Sequence, residues 1–267
     1  MSKNTSKLFI IVSVPRSGTH ALNSILNRYS YDINVVSEVF GGSFSEETKN
    51  LLVDSLPEID MFSSYSENSF FNRNSFVSER KKWMTDNAVD IVSGLLNSDS
   101  HATVLTIFPN QLEWEAVTDI ISVYNPVIVF LRRSMIFSYA SLLKARANEC
   151  FGGSKYKIND LRFDESEIIK YIDKNNDWFS YVYQSVKDFN AEFIDICFSD
   201  AFESDNGLDE LKNILNRYVS VSDTSINIPE TNRQDVRGDE SLLIMINELM
   251  KLSPETLSRF LKLPFYM

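Results

Sequence analysis

The chain has 267 residues, of which 43% are hydrophobic and 24% are charged. This balance excludes a disordered or fibrous protein, and the length is sufficient for one large domain with a sizeable core. The formal net charge is −11, which argues against a nucleic-acid-binding protein or one that lies on an anionic membrane, since both need a broad basic surface. Any anionic ligand must therefore be bound by a local group of donors.

The sequence has few signals for targeting, disulfides or metal binding. The apolar run at residues 8–14 is too short for a membrane span, and no signal-peptide cleavage site follows it. The two cysteines, Cys150 and Cys197, have no metal-ligand spacing, and the chain has only two histidines, His20 and His101. We therefore expect a cytoplasmic protein with reduced cysteines, no membrane span and no metal site. The oligomeric state is left open.

Short apolar runs alternate with long amphipathic segments along the chain. The runs predict strands that are buried on both faces of a parallel sheet, and the segments between them have the periodicity and length of helices. Ser253 followed by Pro254 predicts a capped helix start. The predicted strands cover residues 8–14, 102–108, 127–131 and 192–198, and the predicted helices cover residues 19–29, 46–56, 78–97, 111–123, 134–148, 165–188, 206–219 and 239–262.

This alternation predicts an α/β layered fold with a central, mainly parallel sheet flanked by helices. The chain has only 8 glycines and 7 prolines and no low-complexity linker, so we expect residues 1–267 to form a single domain. The least regular stretch, 57–77, is rich in Ser, Asn and aromatic residues. We expect an irregular loop on the protein surface there. The alternative is a flap that binds an acceptor substrate.

A candidate anion-binding loop lies between the first predicted strand and the first predicted helix. Residues 15–21 read Pro-Arg-Ser-Gly-Thr-His-Ala, and the helix begins near Thr19. Unpaired backbone N–H groups and the helix dipole attract an anion at such a junction, Gly18 lets the backbone turn around it, and Arg16 adds a forked cation. The segment has no lysine and only one glycine, so it is not the GxxxxGK[ST] loop of nucleotide triphosphatases. The candidate ligand-binding residues are Arg16, Ser17, Gly18, Thr19, His20 and Ala21.

This loop resembles the 5′-phosphosulfate loop of sulfotransferases that use 3′-phosphoadenosine-5′-phosphosulfate (PAPS). Cytosolic members of that family have Pro-Lys-Ser-Gly-Thr-Thr there, whereas bacterial and glycan-modifying members often have Arg in place of Lys, as this chain has at Arg16. The resemblance implies a P-loop-like form of the α/β fold, with PAPS bound as co-substrate across the carboxyl ends of the strands.

A second motif of the same family is an Arg just after a central strand and a Ser eight residues later, which together bind the 3′-phosphate. Here Arg132 and Arg133 follow the strand 127–131, and Ser141 lies eight residues beyond Arg133. Either arginine is a candidate for the phosphate. The run is similar to that of bacterial trehalose and nodulation-type sulfotransferases, although Ser134 stands where Asp or Pro is common.

The resemblance also implies a general base, because the acceptor hydroxyl must lose a proton as the sulfuryl group moves. Cytosolic members use a His on the strand that ends in Lys-Thr-His, but the matching residues 105–109 contain no histidine. The bacterial branch uses a glutamate in a Glu-x-Phe context, which matches Glu38 and Phe40. We therefore assign Glu38 as the base, with His20 as the alternative.

A third, shorter match lies near the carboxyl terminus. Residues 232–238 contain Arg237 before a glycine and resemble the basic loop that closes over the 3′-phosphate in this family. An ordinary solvated turn is the alternative.

Together these resemblances imply a PAPS-dependent sulfotransferase that transfers a sulfuryl group to an acceptor hydroxyl on a carbohydrate or glycolipid. The reaction is an in-line displacement in which Glu38 and Arg16 have catalytic roles, and this chemistry requires no metal. One alternative is a P-loop small-molecule kinase that needs ATP and magnesium, against which the missing Gly-Lys-[Ser/Thr] argues. The other is a non-catalytic nucleotide-binding module.

Overall fold

The computed structural model describes residues 6–41, 46–53, 56, 58–59, 73–147, 162–203, 207–221, 245–262 and 264. Within these residues five strands form one parallel sheet in the order β2-β3-β1-β4-β5. The predicted α/β layered fold with a central parallel sheet is therefore confirmed. The strands are β1 (Lys7–Val12), β2 (Ile33–Val36), β3 (Ala102–Ile107), β4 (Val127–Arg132) and β5 (Phe193–Cys197).

Helices connect these strands and cover the sheet. In the described part of the chain they are α1 (Thr19–Tyr29), α2 (Glu46–Leu52), α3 (Arg73–Asp86), α4 (Ala88–Leu96), α5 (Trp114–Tyr124), α6 (Met135–Ala147), α7 (Glu165–Asp188), α8 (Phe198–Glu203), α9 (Asp209–Leu215) and α10 (Pro254–Leu261), and residues 245–249 are also helical.

The central strand β1 separates two hydrophobic cores. Leu8 and Ile10 belong to the core that contains residues of α4, α5 and α7, whereas Phe9 and Ile11 belong to the core that contains residues of α1 and α9. Because successive side chains of a strand point to opposite faces, a strand covered by helices on both faces is apolar at nearly every position. This is why the continuous apolar runs predicted the strands.

Several elements differ from the sequence-based expectation, among them α8, which was not predicted. The edge strand β2 was not predicted, because its four residues, Ile-Asn-Val-Val, are too few to give a clear pattern. The predicted helix 78–97 is divided at Asn87, whose Nδ2 donates to the Trp83 carbonyl at 2.8 Å. A side chain that bonds the preceding turn in this way competes with the regular helix.

The carboxyl-terminal helix is also divided, since α10 begins only after Ser253. The predicted cap is confirmed, because Ser253 Oγ accepts a hydrogen bond from the Thr256 N–H at 3.3 Å and Pro254 follows it. Most of the irregular stretch 57–77 lies outside the described residues, as does Arg237. In the part of the chain that the structure describes, no helix is both long enough and apolar enough to cross a membrane.

All five strands are parallel, so their carboxyl ends share one edge of the sheet. The loop that follows β1 lies at the middle of this edge, between the segments that follow β3 and β4. Open α/β sheets bind their ligands at this edge, beside the strand where the order of connection reverses direction. Apart from Arg237, which lies outside the described residues, the candidate residues identified from the sequence follow β1 or β2 or lie at or after the end of β4, and they are therefore brought to the same edge.

Candidate functional site

The loop between β1 and α1 turns through an unusual backbone conformation. Gly18 is the N-cap of α1 and has φ 95° and ψ 15°, and Arg16 has φ 74°. A side chain at Gly18 would place its Cβ 2.3 Å from the ring of Phe198 on α8. Glycine is therefore required at position 18 both by the backbone angle and by the close approach of Phe198. The turn leaves the first N–H groups of α1 without helical carbonyl partners, as at any helix start.

Buried hydrogen bonds attach the loop to the neighbouring strand and helices. Ser17 is fully buried, and its Oγ lies 3.4 Å from Ser138 Oγ on α6. Ser13 Oγ donates to the Leu131 carbonyl at 2.7 Å, and the Trp178 indole N–H donates to the Ser13 carbonyl at 3.2 Å. The loop is thus fixed to β4, α6 and α7, and the Ser17 hydroxyl takes part in this anchoring.

The two arginine-containing motifs meet at this loop. Arg16 Nε donates to Ser141 Oγ at 3.0 Å, and Arg133 Nη1 donates to the Arg16 carbonyl at 3.0 Å. These bonds join residues 125 and 117 positions apart in the chain. Two guanidinium groups and a hydroxyl are therefore adjacent at the start of α1, where the backbone N–H groups and the helix dipole also favour an anion.

The adjacent arginines Arg132 and Arg133 have different surroundings. Arg132 forms a two-point ion pair with Asp195 on β5, and its Nη1 also donates to the Pro264 carbonyl at 3.0 Å. The Arg133 guanidinium lies over the Phe198 ring, with 4.4 Å between its carbon and the ring centroid. Arg132 thus connects β4 to β5 and to the carboxyl-terminal segment, whereas Arg133 lies beside the candidate anion-binding loop.

Glu38 lies in the turn after β2, close to the start of α1. Its Oε1 is 3.7 Å from His20 Nε2, and the side chains of Glu38 and His20 are 29% and 73% exposed. Burial raises the pKa of the Glu38 carboxyl above its ordinary value, and the nearby His20 and Arg16 partly offset this effect. A carboxylate that is partly desolvated in this way is a stronger proton acceptor than one in water.

Three residues that contact the Glu38 turn lie in no sequence pattern that would identify them. Arg80 on α3 is buried and its Nη1 donates to the Phe40 carbonyl at 3.2 Å, yet it lies in a charged run, Glu-Arg-Lys-Lys, that is typical of a solvated surface. Gln111 packs against Gly41, and a Cβ at position 41 would lie 2.2 Å from Gln111 Nε2. Asn23 on α1 contacts the turn through Ser37, with 3.0 Å between Nδ2 and Oγ.

The remaining candidates have less direct roles in this geometry. Thr19 is buried at the first position of α1, and Ala21 is partly buried in the same turn of helix. His101 is exposed and immediately precedes β3, at the opposite edge of the sheet from the loop. Arg237 lies outside the described residues. Among the described residues, no group of three or more His, Cys, Asp and Glu side chains is placed to hold a metal ion.

The chain matches no protein-family model and no curated protein sequence. The chemistry of the site is therefore inferred from its own residues. The site contains two arginines at a helix start, and this arrangement suits a ligand with more than one anionic group. Beside them lies a carboxylate that can take a proton.

Proposed function

We propose that this chain is a PAPS-dependent sulfotransferase, in which the edge of the sheet around Arg16, Arg133 and Glu38 is the active site. One observation carries the proposal. The loop that resembles a phosphosulfate loop and the arginine-serine motif that resembles a 3′-phosphate site are far apart in sequence, yet they are joined by the hydrogen bonds from Arg16 to Ser141 and from Arg133 to Arg16. The neighbouring strands β1 and β4 bring the two segments close together, and the hydrogen bond between Arg16 and Ser141 links the specific residues of the two motifs.

The two anionic ends of PAPS have separate partners in this proposal. The backbone N–H groups of residues 17–21 and the Arg16 guanidinium bind the 5′-phosphosulfate. Arg133 and Ser141 bind the 3′-phosphate. Ser141 Oγ is held beside the loop by the hydrogen bond that it accepts from Arg16 Nε at 3.0 Å. Arg132 is engaged by Asp195, so we assign the 3′-phosphate to Arg133.

Glu38 acts as the general base in the transfer. The acceptor oxygen forms a bond to sulfur, the bond between sulfur and the 5′-phosphate oxygen breaks, and the acceptor proton passes to a Glu38 carboxylate oxygen. Arg16 and the loop N–H groups stabilise the negative charge that the leaving phosphate oxygen gains. The raised pKa of Glu38 suits this role, since a base is most effective when its pKa approaches the working pH.

The proposed acceptor is a hydroxyl group of a carbohydrate or glycolipid. This follows from the similarity of residues 131–146 and of Glu38-Val39-Phe40 to the carbohydrate-modifying bacterial branch. Cell-envelope sugars screened with sulfur-labelled PAPS test the acceptor class, and transfer to a peptide or small metabolite alone would show that it is wrong.

Nucleotide binding tests the function itself. The thermal unfolding of the protein is compared with 3′-phosphoadenosine-5′-phosphate (PAP), with adenosine-5′-phosphosulfate and with ATP plus magnesium. We expect PAP at about 100 times its dissociation constant to add roughly 2.7 kcal/mol to the free energy of unfolding. Stabilisation by ATP plus magnesium alone would favour the kinase alternative. Binding of PAP without any consumption of PAPS, with or without the screened sugars, would favour a non-catalytic module.

A further inference from the structure

Asn23 is a buried polar residue that connects three parts of the site. It lies on α1, four residues after Thr19, and is 5% exposed. Its Nδ2 donates to Ser37 Oγ at 3.0 Å and to Thr106 Oγ1 at 3.4 Å. One amide group thus links the helix that begins in the anion-binding loop, the residue before Glu38 and the end of β3.

The fold alone does not account for an amide at this position. The Asn23 Oδ1 atom is buried and has no hydrogen-bond partner among the described residues. A buried acceptor that is left unsatisfied lowers stability, whereas an apolar side chain of similar size has no such cost. The contacts made by Nδ2 are therefore the better explanation of this residue.

Those contacts act on a turn whose backbone must be held in place. Glu38 directly follows Ser37 and has φ 49°, in the left-handed region that few non-glycine residues adopt. Such a conformation persists only where the surroundings fix it. Arg80 fixes the far side of the turn through the Phe40 carbonyl, and Asn23 fixes the near side from α1.

We propose that Asn23 is a positioning residue, which holds the Glu38 turn against α1 and so sets the place of the Glu38 carboxylate relative to the anion-binding loop. This inference rests on the proposed function, because it takes Glu38 as the base. Helix α1 then positions both the anion-binding loop and Glu38. A displacement of about 1 Å between reacting groups is sufficient to lower a rate by roughly 10²-fold.

Two variants remove the contact from its two sides. Asn23→Leu keeps the size of the side chain, and Ser37→Ala removes an exposed hydroxyl. The assay measures the release of labelled sulfate from PAPS, with water as the acceptor. In this reaction the water oxygen bonds to sulfur, the bond between sulfur and the 5′-phosphate oxygen breaks, and Glu38 takes a proton from the water. We expect each variant to lower turnover roughly 10- to 100-fold. The affinity for PAP and the melting temperature of Asn23→Leu should not fall. Ser24→Ala is the matched control, because within the described part of the chain this α1 hydroxyl donates only to the His20 carbonyl of its own helix.

A double-mutant cycle separates positioning from general support of the fold. If Asn23 acts through Glu38, then Asn23→Leu should cause no further loss of turnover in a Glu38→Gln protein. An equal loss in both backgrounds would overturn the proposal. A loss of PAP affinity in parallel with turnover would also overturn it, because Asn23 would then support the whole site.

A measurement without nucleotide distinguishes failure of this inference from failure of the proposed function. The carbon-13 signal of the Glu38 carboxyl is assigned by its absence in Glu38→Gln and titrated in each variant. The titration is repeated with His20→Asn, since His20 and Arg16 are the basic side chains that act on the Glu38 carboxyl among the described residues. We expect release of the turn to lower the titration midpoint, because burial is the main cause of its raised pKa. An unchanged midpoint would overturn the role of Asn23, whereas a wild-type protein that binds no PAP would overturn the sulfotransferase proposal.

Discussion

Arg16 and Ser141 are 125 positions apart in the chain and share a hydrogen bond of 3.0 Å between Nε and Oγ. The bond joins the loop after β1 to the helix after β4, and Arg133 reinforces it through the Arg16 carbonyl. Two segments that are far apart in the chain are therefore joined by hydrogen bonds of the protein itself, which involve both the side chain and the backbone of Arg16.

The first prediction concerns the 3′-phosphate. Arg133→Ala should weaken the binding of PAP by about 2–4 kcal/mol, in the range for loss of one partner of a hydrogen-bonded charge pair. The affinity for adenosine-5′-phosphosulfate, which has no 3′-phosphate, should change little. Isothermal titration calorimetry with both ligands measures the difference, and equal losses would show that Arg133 supports the fold rather than the phosphate.

Arg132→Ala is the control for this prediction. Because Arg132 is paired with Asp195 and bonded to the Pro264 carbonyl, its loss should lower the free energy of unfolding by roughly 1.5–3 kcal/mol. It should not discriminate between the two nucleotides. A selective loss of PAP binding in this variant would move the phosphate assignment from Arg133 to Arg132.

The second prediction concerns the base. Glu38→Gln keeps the size of the side chain but cannot take a proton, so turnover should fall by roughly 10²–10⁴-fold while PAP affinity stays nearly constant. The wild-type rate should also decrease towards acid pH with one ionisation that the variant lacks. Steady-state kinetics over a range of pH measures both effects.

His20→Asn tests the alternative base, since its imidazole lies 3.7 Å from Glu38. We expect a smaller loss of turnover than for Glu38→Gln. An inactive His20→Asn protein beside a nearly normal Glu38→Gln protein would reverse the two roles and would leave the sulfotransferase proposal in place.

The third prediction links Glu38 to stability. Its pKa in the folded protein is raised above the ordinary value, mainly by burial. Its contribution to stability is therefore fully present below the ordinary pKa of glutamate and is lost as the pH rises through the folded-state pKa. Glu38→Gln has no such ionisation, so its melting temperature should rise relative to wild type as the pH increases from about 4 towards neutrality. A difference that stays constant with pH would contradict the burial of this carboxyl.

The fourth prediction concerns Gly18. Gly18→Ala should lower the free energy of unfolding by roughly 1–3 kcal/mol because of the positive φ, with a further loss from the clash with Phe198, 2.3 Å from the new Cβ. Chemical denaturation of Gly18→Ala, made in the wild-type protein and again in the Phe198→Ala protein, separates the cost of the backbone angle from the cost of the clash. The clash term should disappear in that background and the backbone term should remain. Equal losses in both backgrounds would show that Phe198 yields without cost.

The fifth prediction concerns the cap of α10. Ser253→Ala removes the acceptor for the Thr256 N–H and should lower the free energy of unfolding by about 0.5–2 kcal/mol. Ser122→Ala, which removes an exposed hydroxyl within α5, is the matched control. An equal effect of the two substitutions on urea denaturation would contradict the capping role.

The sequence alone predicted the features that depend on local pattern. Apolar runs such as residues 8–14 predicted buried strands, since a strand covered on both faces is apolar at most of its positions. The junction around Gly18 predicted a strand, a tight turn and a helix start, because glycine and helix periodicity report backbone conformation directly. Ser253 predicted its cap for the same reason, as its partner lies only three residues away.

Only the tertiary structure decided the features that depend on which distant segments meet. The sequence could not distinguish Arg132 from Arg133, because the difference lies in Asp195 and Phe198, which come from β5 and α8. Arg80 belongs to a charged run that is typical of a solvated surface, yet it is buried beneath the Glu38 turn. A local pattern shows which residues can be buried and where the backbone can turn, whereas the partner of a polar side chain is fixed only when the sheet brings its strand ends together.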